Sequence, residues 1–241
     1  MEEETSYYPI STVTASVLLF STLGYITSKN IPSRSKSSWK FKNIFVSLLH
    51  AATSGTWACY CLLYTPGLAQ DVISSHDIYS YSLVCFSLGY TIYDCVDMLL
   101  FHRKRDTFEL LGHHTVILVA FGIAIAFQTY VGYAVVALVV EVNSVFLHIR
   151  QLMLICRIDK SSACFRLNGL ANVGSFITFR IMTFAWMTRW LFLNKDLVPL
   201  VFFTIGSIGL AVVTLMTIVL FYRLLKSDFK RSTALPTDKS D

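Results

Sequence analysis

The chain has 241 residues, of which 54% are hydrophobic and only 15% charged, too little polar surface to cover a soluble domain of this size. Its formal net charge of +5 comes from clusters that flank apolar stretches. No basic stripe interleaves with exposed aromatics, so nucleic acid is excluded as a partner and anionic lipid headgroups are favoured.

In chain order, "MEEETSYYP" is acidic where a signal peptide would be basic, so the first apolar stretch, residues 10–28, is expected to be a retained membrane helix. Further stretches follow at 44–64, 79–101, 113–128, 130–154, 173–192 and 198–225. Each reaches or approaches the roughly 20 residues that a helix needs to cross about 30 Å of hydrocarbon. The expected fold is therefore all-α and polytopic, a bundle or barrel of about six helices plus one N-terminal helix.

Charge sets the orientation. Seventeen of the twenty Lys and Arg fall in four clusters: Lys29 to Lys42, Arg103 to Arg105, Arg150 to Arg166, and Arg223 to Lys239. Seven crossings put all four clusters on one side, which the positive-inside rule makes the cytosol, with the N-terminus outside. The opposite flanks carry Glu2, Glu3, Glu4, Asp71, Asp77 and Asp196. The organisation read from this is an N-terminal segment 1–38 with the first helix, a helical domain 39–228, and a disordered cytosolic tail 229–241.

Six cysteines include no CxxC pair and read as buried thiols, Cys156 and Cys164 lying nearest the cytosolic face. Six histidines with a single adjacent pair lack the boxes of a membrane di-iron enzyme, so no metal or other cofactor is expected. No GxSxG elbow is present, which argues against a serine hydrolase.

The chemistry concentrates in polar residues that a membrane helix should not contain. An ionised side chain near mid-membrane costs on the order of 3 kcal/mol, so each needs a partner or a function. Asp94 and Asp97 are three residues apart and share a helix face. Glu141, Ser144 and His148 follow a three-then-four spacing on one stripe of the fifth helix, with Asn143 and Arg150 on nearly the opposite stripe. His113 and His114 begin the fourth helix, and Arg180 falls near mid-depth in the sixth. Together they are candidates for a cytosol-facing cavity: His113, His114, Asp94, Asp97 and Glu141 for acid/base chemistry, and Asn143, His148 and Arg180 for lipid or acyl binding. The competing reading is a Glu141–Arg180 pair that only fixes helix register. His50, Trp57, Trp186 and Trp190 read as interface or packing residues.

"RKRDTFELLGHH", then an apolar helix and "LVVEVNSVFLHIR", resembles the TLC domain family. The segments "WKFKNIFVSLLHAATSGTWA", "YSLVCFSLGYTIYDCVDM" and "RLNGLANVGSFITFR" are similar to its small plasma-membrane members, and the likeness covers residues 39–228. It implies a helical bundle around an internal cavity and, in the ceramide synthase branch, acyl transfer from acyl-CoA by a histidine pair and aspartates. Here the pair is His113 and His114, but Glu141, Val142 and Asn143 stand where the synthase aspartates would begin, which argues against ceramide synthesis. The closest-looking subgroup implies regulation of plasma-membrane phospholipid acyl composition and fluidity, limiting polyunsaturated chains, with phospholipids or fatty acyl chains as partners. The alternatives are an acyl-CoA-dependent acyltransferase related to ceramide synthases and a membrane scaffold that modulates a channel or another enzyme; the alternative compartment is the endoplasmic reticulum.

Overall fold

The computed structural model describes residues 2–30, 38–65, 67–101 and 105–229. Among these are nine α-helices and no strand: α1 (Glu2–Asn30), α2 (Ser38–Tyr64), α3 (Ile78–Phe101), α4 (Arg105–Phe127), α5 (Val131–Leu138), α6 (Glu141–Ile155), α7 (Ala163–Ser175), α8 (Met182–Leu193) and α9 (Leu200–Phe229). A π-helical turn, Phe176–Ile181, joins α7 to α8. The polytopic all-α fold is as the apolar stretches require. Arg103, Lys104 and the tail from residue 230 lie outside the described residues.

Among the described residues, five helical stretches are long and apolar enough to cross a membrane: Pro9–Asn30, Ile78–Phe101, Phe108–Phe127, Val131–Ile155 and Leu200–Ser227. The other two rods, α2 and α7 with the π turn and α8, run alongside them but bury Lys42, Asn43, Ser47, His50 and Ser54, or Asn168, Asn172 and Ser175, against their neighbours. Polar side chains turned inward lower their hydropathy without exposing them to lipid.

The helices close into a ring. α2 packs on α3, α3 on α4, α4 on α9, α9 on the π turn and α8, the π turn on α6, and α6 back on α2. α1 lies outside this ring against α3 and α2. Its approach depends on Gly89, where a Cβ would stand 2.6 Å from the Val13 carbonyl oxygen, and on Ser16, whose hydroxyl donates to Phe86 O at 2.6 Å.

The expected fifth helix, 130–154, is broken. At its middle, Val139 N–H bonds back three residues to Val136 O (3.1 Å) and Val140 N–H to Ala137 O (3.3 Å), tightening one turn before α6 begins at Glu141. The break gives the two halves different neighbours. α5, apolar throughout as "VGYAVVAL", contacts α2, α3, α4 and α8 and so fills one end of the ring. α6 sits in the ring wall between α2 and α7. Gly55 of α2 faces the break: a Cβ there would meet Val142 N at 2.9 Å and Glu141 C at 3.1 Å. Only a residue without a side chain lets the two backbones come this close.

The plugged end is sealed further by residues 67–77. Leu68 and Val72 are fully buried against Gly132, and Tyr130 N–H and Tyr133 N–H bond to Ile73 O (2.6 Å) and Val72 O (3.2 Å). Asp77 caps α3, accepting from Ser80 N–H at 2.8 Å while its own N–H donates to Ser80 Oγ at 2.9 Å. This end carries Asp71, Asp77 and Asp196 and is the acidic end; the other carries Arg157, Lys160, Arg166, Arg223 and Lys226 and is the basic end.

Candidate functional site

With α5 filling the acidic half, the interior of the ring is left to the basic half, where five elements deliver polar side chains. The α3 pair is fully committed. Asp97 forms an ion pair with Lys42 and accepts from Trp39 Nε1–H at 3.0 Å, with Lys42 also lying 5.1 Å from the centre of the Phe101 ring. Asp94, one turn deeper and 2% exposed, accepts from Asn43 Nδ2–H at 2.6 Å and faces His114 Nε2 at 3.3 Å. Trp39, Lys42 and Asn43 belong to α2, which begins six residues before the apolar stretch at Ile44 and so turns what reads as a basic loop into the partner of α3.

His114 has no nitrogen to spare. Its Nδ1 lies 2.9 Å from Leu110 O, which can only accept, so Nδ1 carries a proton. Its Nε2 then meets the Asp94 carboxyl, and a second proton must lie between them, either on the ring or on the acid. The pair shares one proton and is neutral overall. His113, by contrast, makes no hydrogen bond to its own turn and keeps part of its surface open; its ring stands 5.7 Å from that of His114 at 67°. α4 starts at Arg105, eight residues before His113, so the pair lies about 12 Å along the helix rather than at its mouth.

Across the ring, Arg180 sits in the π turn, a distortion that often marks functional positions. Its Nη2 donates to Ser144 Oγ at 2.8 Å, and Glu141 is within hydrogen-bonding reach of the same hydroxyl. Glu141 and Arg180 therefore meet through Ser144 rather than as a direct ion pair. His113 and His148 both lie within electrostatic reach of Arg180, and His50 within reach of His114 and His148. Glu141, His148, Arg180 and His113 are enclosed by neighbouring helices yet each keeps part of its surface open.

Of the two roles expected for His50, interface or packing, the structure gives packing, and it adds a place beside the polar cluster. His50 is 5% exposed and stacks on Tyr90 with ring centres 3.8 Å apart, and Tyr90 Oη–H donates to Ser47 Oγ at 2.8 Å. The signal for it was present: Trp39, Asn43, Ser47, His50 and Ser54 recur every three or four residues, a polar stripe along α2. Asn143 falls outside the cluster. Fully buried, its Nδ2 lies 3.0 Å from both Asn172 Oδ1 and Ser175 Oγ and fastens α6 to α7. Arg150 likewise joins α6 to α9 through Ser227 Oγ, at 2.9 Å. The structure thus brings together Asp94, His113, His114, Glu141, His148 and Arg180, adds His50 and Ser144, and sets Asp97 beside Lys42 at the basic end of the same wall.

Comparison with known proteins bears on what this arrangement belongs to. Residues 40–226 match the model of the TLC domain, which begins in α2 and leaves α1 outside. A TLC domain-containing protein 2 of Danio rerio is 46% identical over 226 residues, 93% of this chain and 92% of the relative. A TLC domain-containing protein 2 of Homo sapiens is 36% identical over 204 residues, 85% of this chain and 77% of the relative. A TLC domain-containing protein 1 of Homo sapiens is 34% identical over 192 residues, 80% and 76% of the two chains. With the ring of helices and its polar interior, these matches establish that the chain belongs to the TLC domain family.

Proposed function

We propose that the chain regulates the acyl composition of membrane phospholipids, limiting incorporation of polyunsaturated chains and so restraining fluidity, by holding a lipid acyl group in the ring interior. The observation that carries this reading is the set Glu141, His148, Arg180 and His113, polar side chains enclosed by helices yet partly accessible in the half of the ring that α5 does not fill; they would line the recess that receives the acyl group. The positive-inside rule makes the basic end cytosolic and the N-terminus external, and the plasma membrane is the compartment proposed. The test is the phospholipid profile of cells lacking the protein. A rise in polyunsaturated acyl chains, reversed by the wild-type chain and not by Arg180→Met, supports it; an unchanged profile rejects it.

A second reading is favoured by the contrast between the two histidines. In an acyl transfer from acyl-CoA, a lipid hydroxyl or amine attacks the thioester carbonyl, its proton passes to His113, and the departing thiolate takes that proton as the new ester or amide forms. His113 is the ring free to act, while the neutral Asp94–His114 pair holds α4 in register against α3. Purified protein given acyl-CoA and lysophospholipid or amine acceptors decides it: transfer abolished by His113→Ala favours the enzyme, and lipid binding without transfer favours the regulator.

A further inference from the structure

Three buried nitrogens near the recess have no hydrogen-bond partner: His50 Nε2 on α2, His148 Nδ1 on α6 and Arg180 Nε in the π turn. Ser144, which accepts from Arg180, stands one turn from His148 on α6, and His50 lies on α2, which packs along α6, so the three form one neighbourhood, with His114 also within electrostatic reach of His50. Arg180 Nε can only donate, and a neutral imidazole nitrogen can donate by choice of tautomer. A group that satisfied all three would therefore be an acceptor. Charge narrows it. Arg180 already has Glu141 one hydroxyl away through Ser144, so an anion brought here would leave an excess negative charge in apolar surroundings. An uncharged acceptor would not.

We infer that His50, His148 and Arg180 seat the carbonyl oxygen of an acyl ester or thioester. The inference rests on the proposal that an acyl lipid occupies the recess and adds which atom of that lipid is recognised and by what. It also accounts for the π turn, which places Arg180 where a regular helix would carry its neighbour.

The test uses the full-length protein in detergent micelles, with occupancy read by native mass spectrometry. One arm compares dioleoyl phosphatidylcholine with its dialkyl ether analogue, which keeps the headgroup and chains but lacks both carbonyls. The other compares oleoyl-CoA with the matching S-alkyl thioether, so that the arm that discriminates identifies the source of the carbonyl. The carbonyl form should bind about tenfold more tightly in at least one arm, the weight of one lost buried hydrogen-bond set. His50→Phe keeps the stack on Tyr90 and removes an orphaned nitrogen, so it should melt no lower than wild type yet bring the two lipids close to parity; His148→Phe should do the same to binding. Equal binding of carbonyl and ether forms by the wild type, or full discrimination retained in both variants, overturns the carbonyl seat alone. Failure of every acyl lipid to bind overturns it together with the proposed function.

Discussion

The two adjacent histidines of α4 should respond oppositely to substitution. His114→Leu deletes the partner of Asp94, a carboxyl only 2% exposed, and leaves Asn43 as its remaining contact. Removing one member of a buried pair costs about 3–5 kcal/mol, because the other is stranded away from water. His113→Leu breaks no hydrogen bond to protein at a half-buried position and should cost less than about 1 kcal/mol. Asp94→Asn provides the control. Its amide oxygen still accepts from Asn43 while its Nδ2–H donates to His114 Nε2, so every contact survives without a shared titratable proton, again at less than about 1 kcal/mol. Thermal melts of the three variants in one detergent measure the order directly. His114→Leu should melt far below wild type, with His113→Leu and Asp94→Asn close to it, while lipid-profile rescue or acyl transfer is lost in His113→Leu. Equal melting of the two histidine variants, or a melt of Asp94→Asn as low as that of His114→Leu, would refute the shared-proton pair.

Three further outcomes follow from the packing. Gly55→Val places a side chain against the Glu141–Val142 backbone, which cannot yield as a side chain can, and should destabilise by about 1–3 kcal/mol in a melt while weakening lipid binding through displacement of Glu141. Asp77→Ala removes the α3 cap and should cost about 1 kcal/mol. Burial pushes the Asp77 carboxyl up, but hydrogen bonds from Ser80 N–H, the Ser80 hydroxyl and the Thr65 hydroxyl together outweigh it and hold the group below its ordinary value. The cap's contribution is therefore complete above the usual carboxylate range and fades as pH falls below it, so melts of wild type and Asp77→Ala should converge in acid. Cys156 and Cys164, expected from sequence to be buried thiols, are instead exposed at the basic end, so an impermeant maleimide should label them from the cytosolic side of the membrane; labelling from outside would invert the proposed topology.

Much of the fold was legible because composition and charge act over whole helices. The apolar stretches marked the rods, and the three-then-four spacing of Glu141, Ser144 and His148 marked an inward face. The family motif located His113 and His114. What sequence could not supply was where a helix begins when its first turns are polar. Reading α2 from Ile44 hid Lys42 and Asn43, the partners of Asp97 and Asp94, and reading α4 from His113 put the pair at the mouth instead of two turns inside. The break before Glu141 was equally hidden, since nothing in "ALVVEVNS" interrupts a helix; it appears only when Gly55 of another helix presses on that turn. The difference between His113 and His114 is tertiary as well, set by Asp94 arriving from α3.

The central claim is that the ring interior holds an acyl lipid. Mass spectrometry of lipid extracted from the purified full-length protein tests it most directly. An acyl lipid should be retained near one per chain, lost in Arg180→Met and kept in the lipid-facing variant Leu215→Ala. Lipid present equally in both variants, or none above the level of the detergent blank in the wild type, would contradict it.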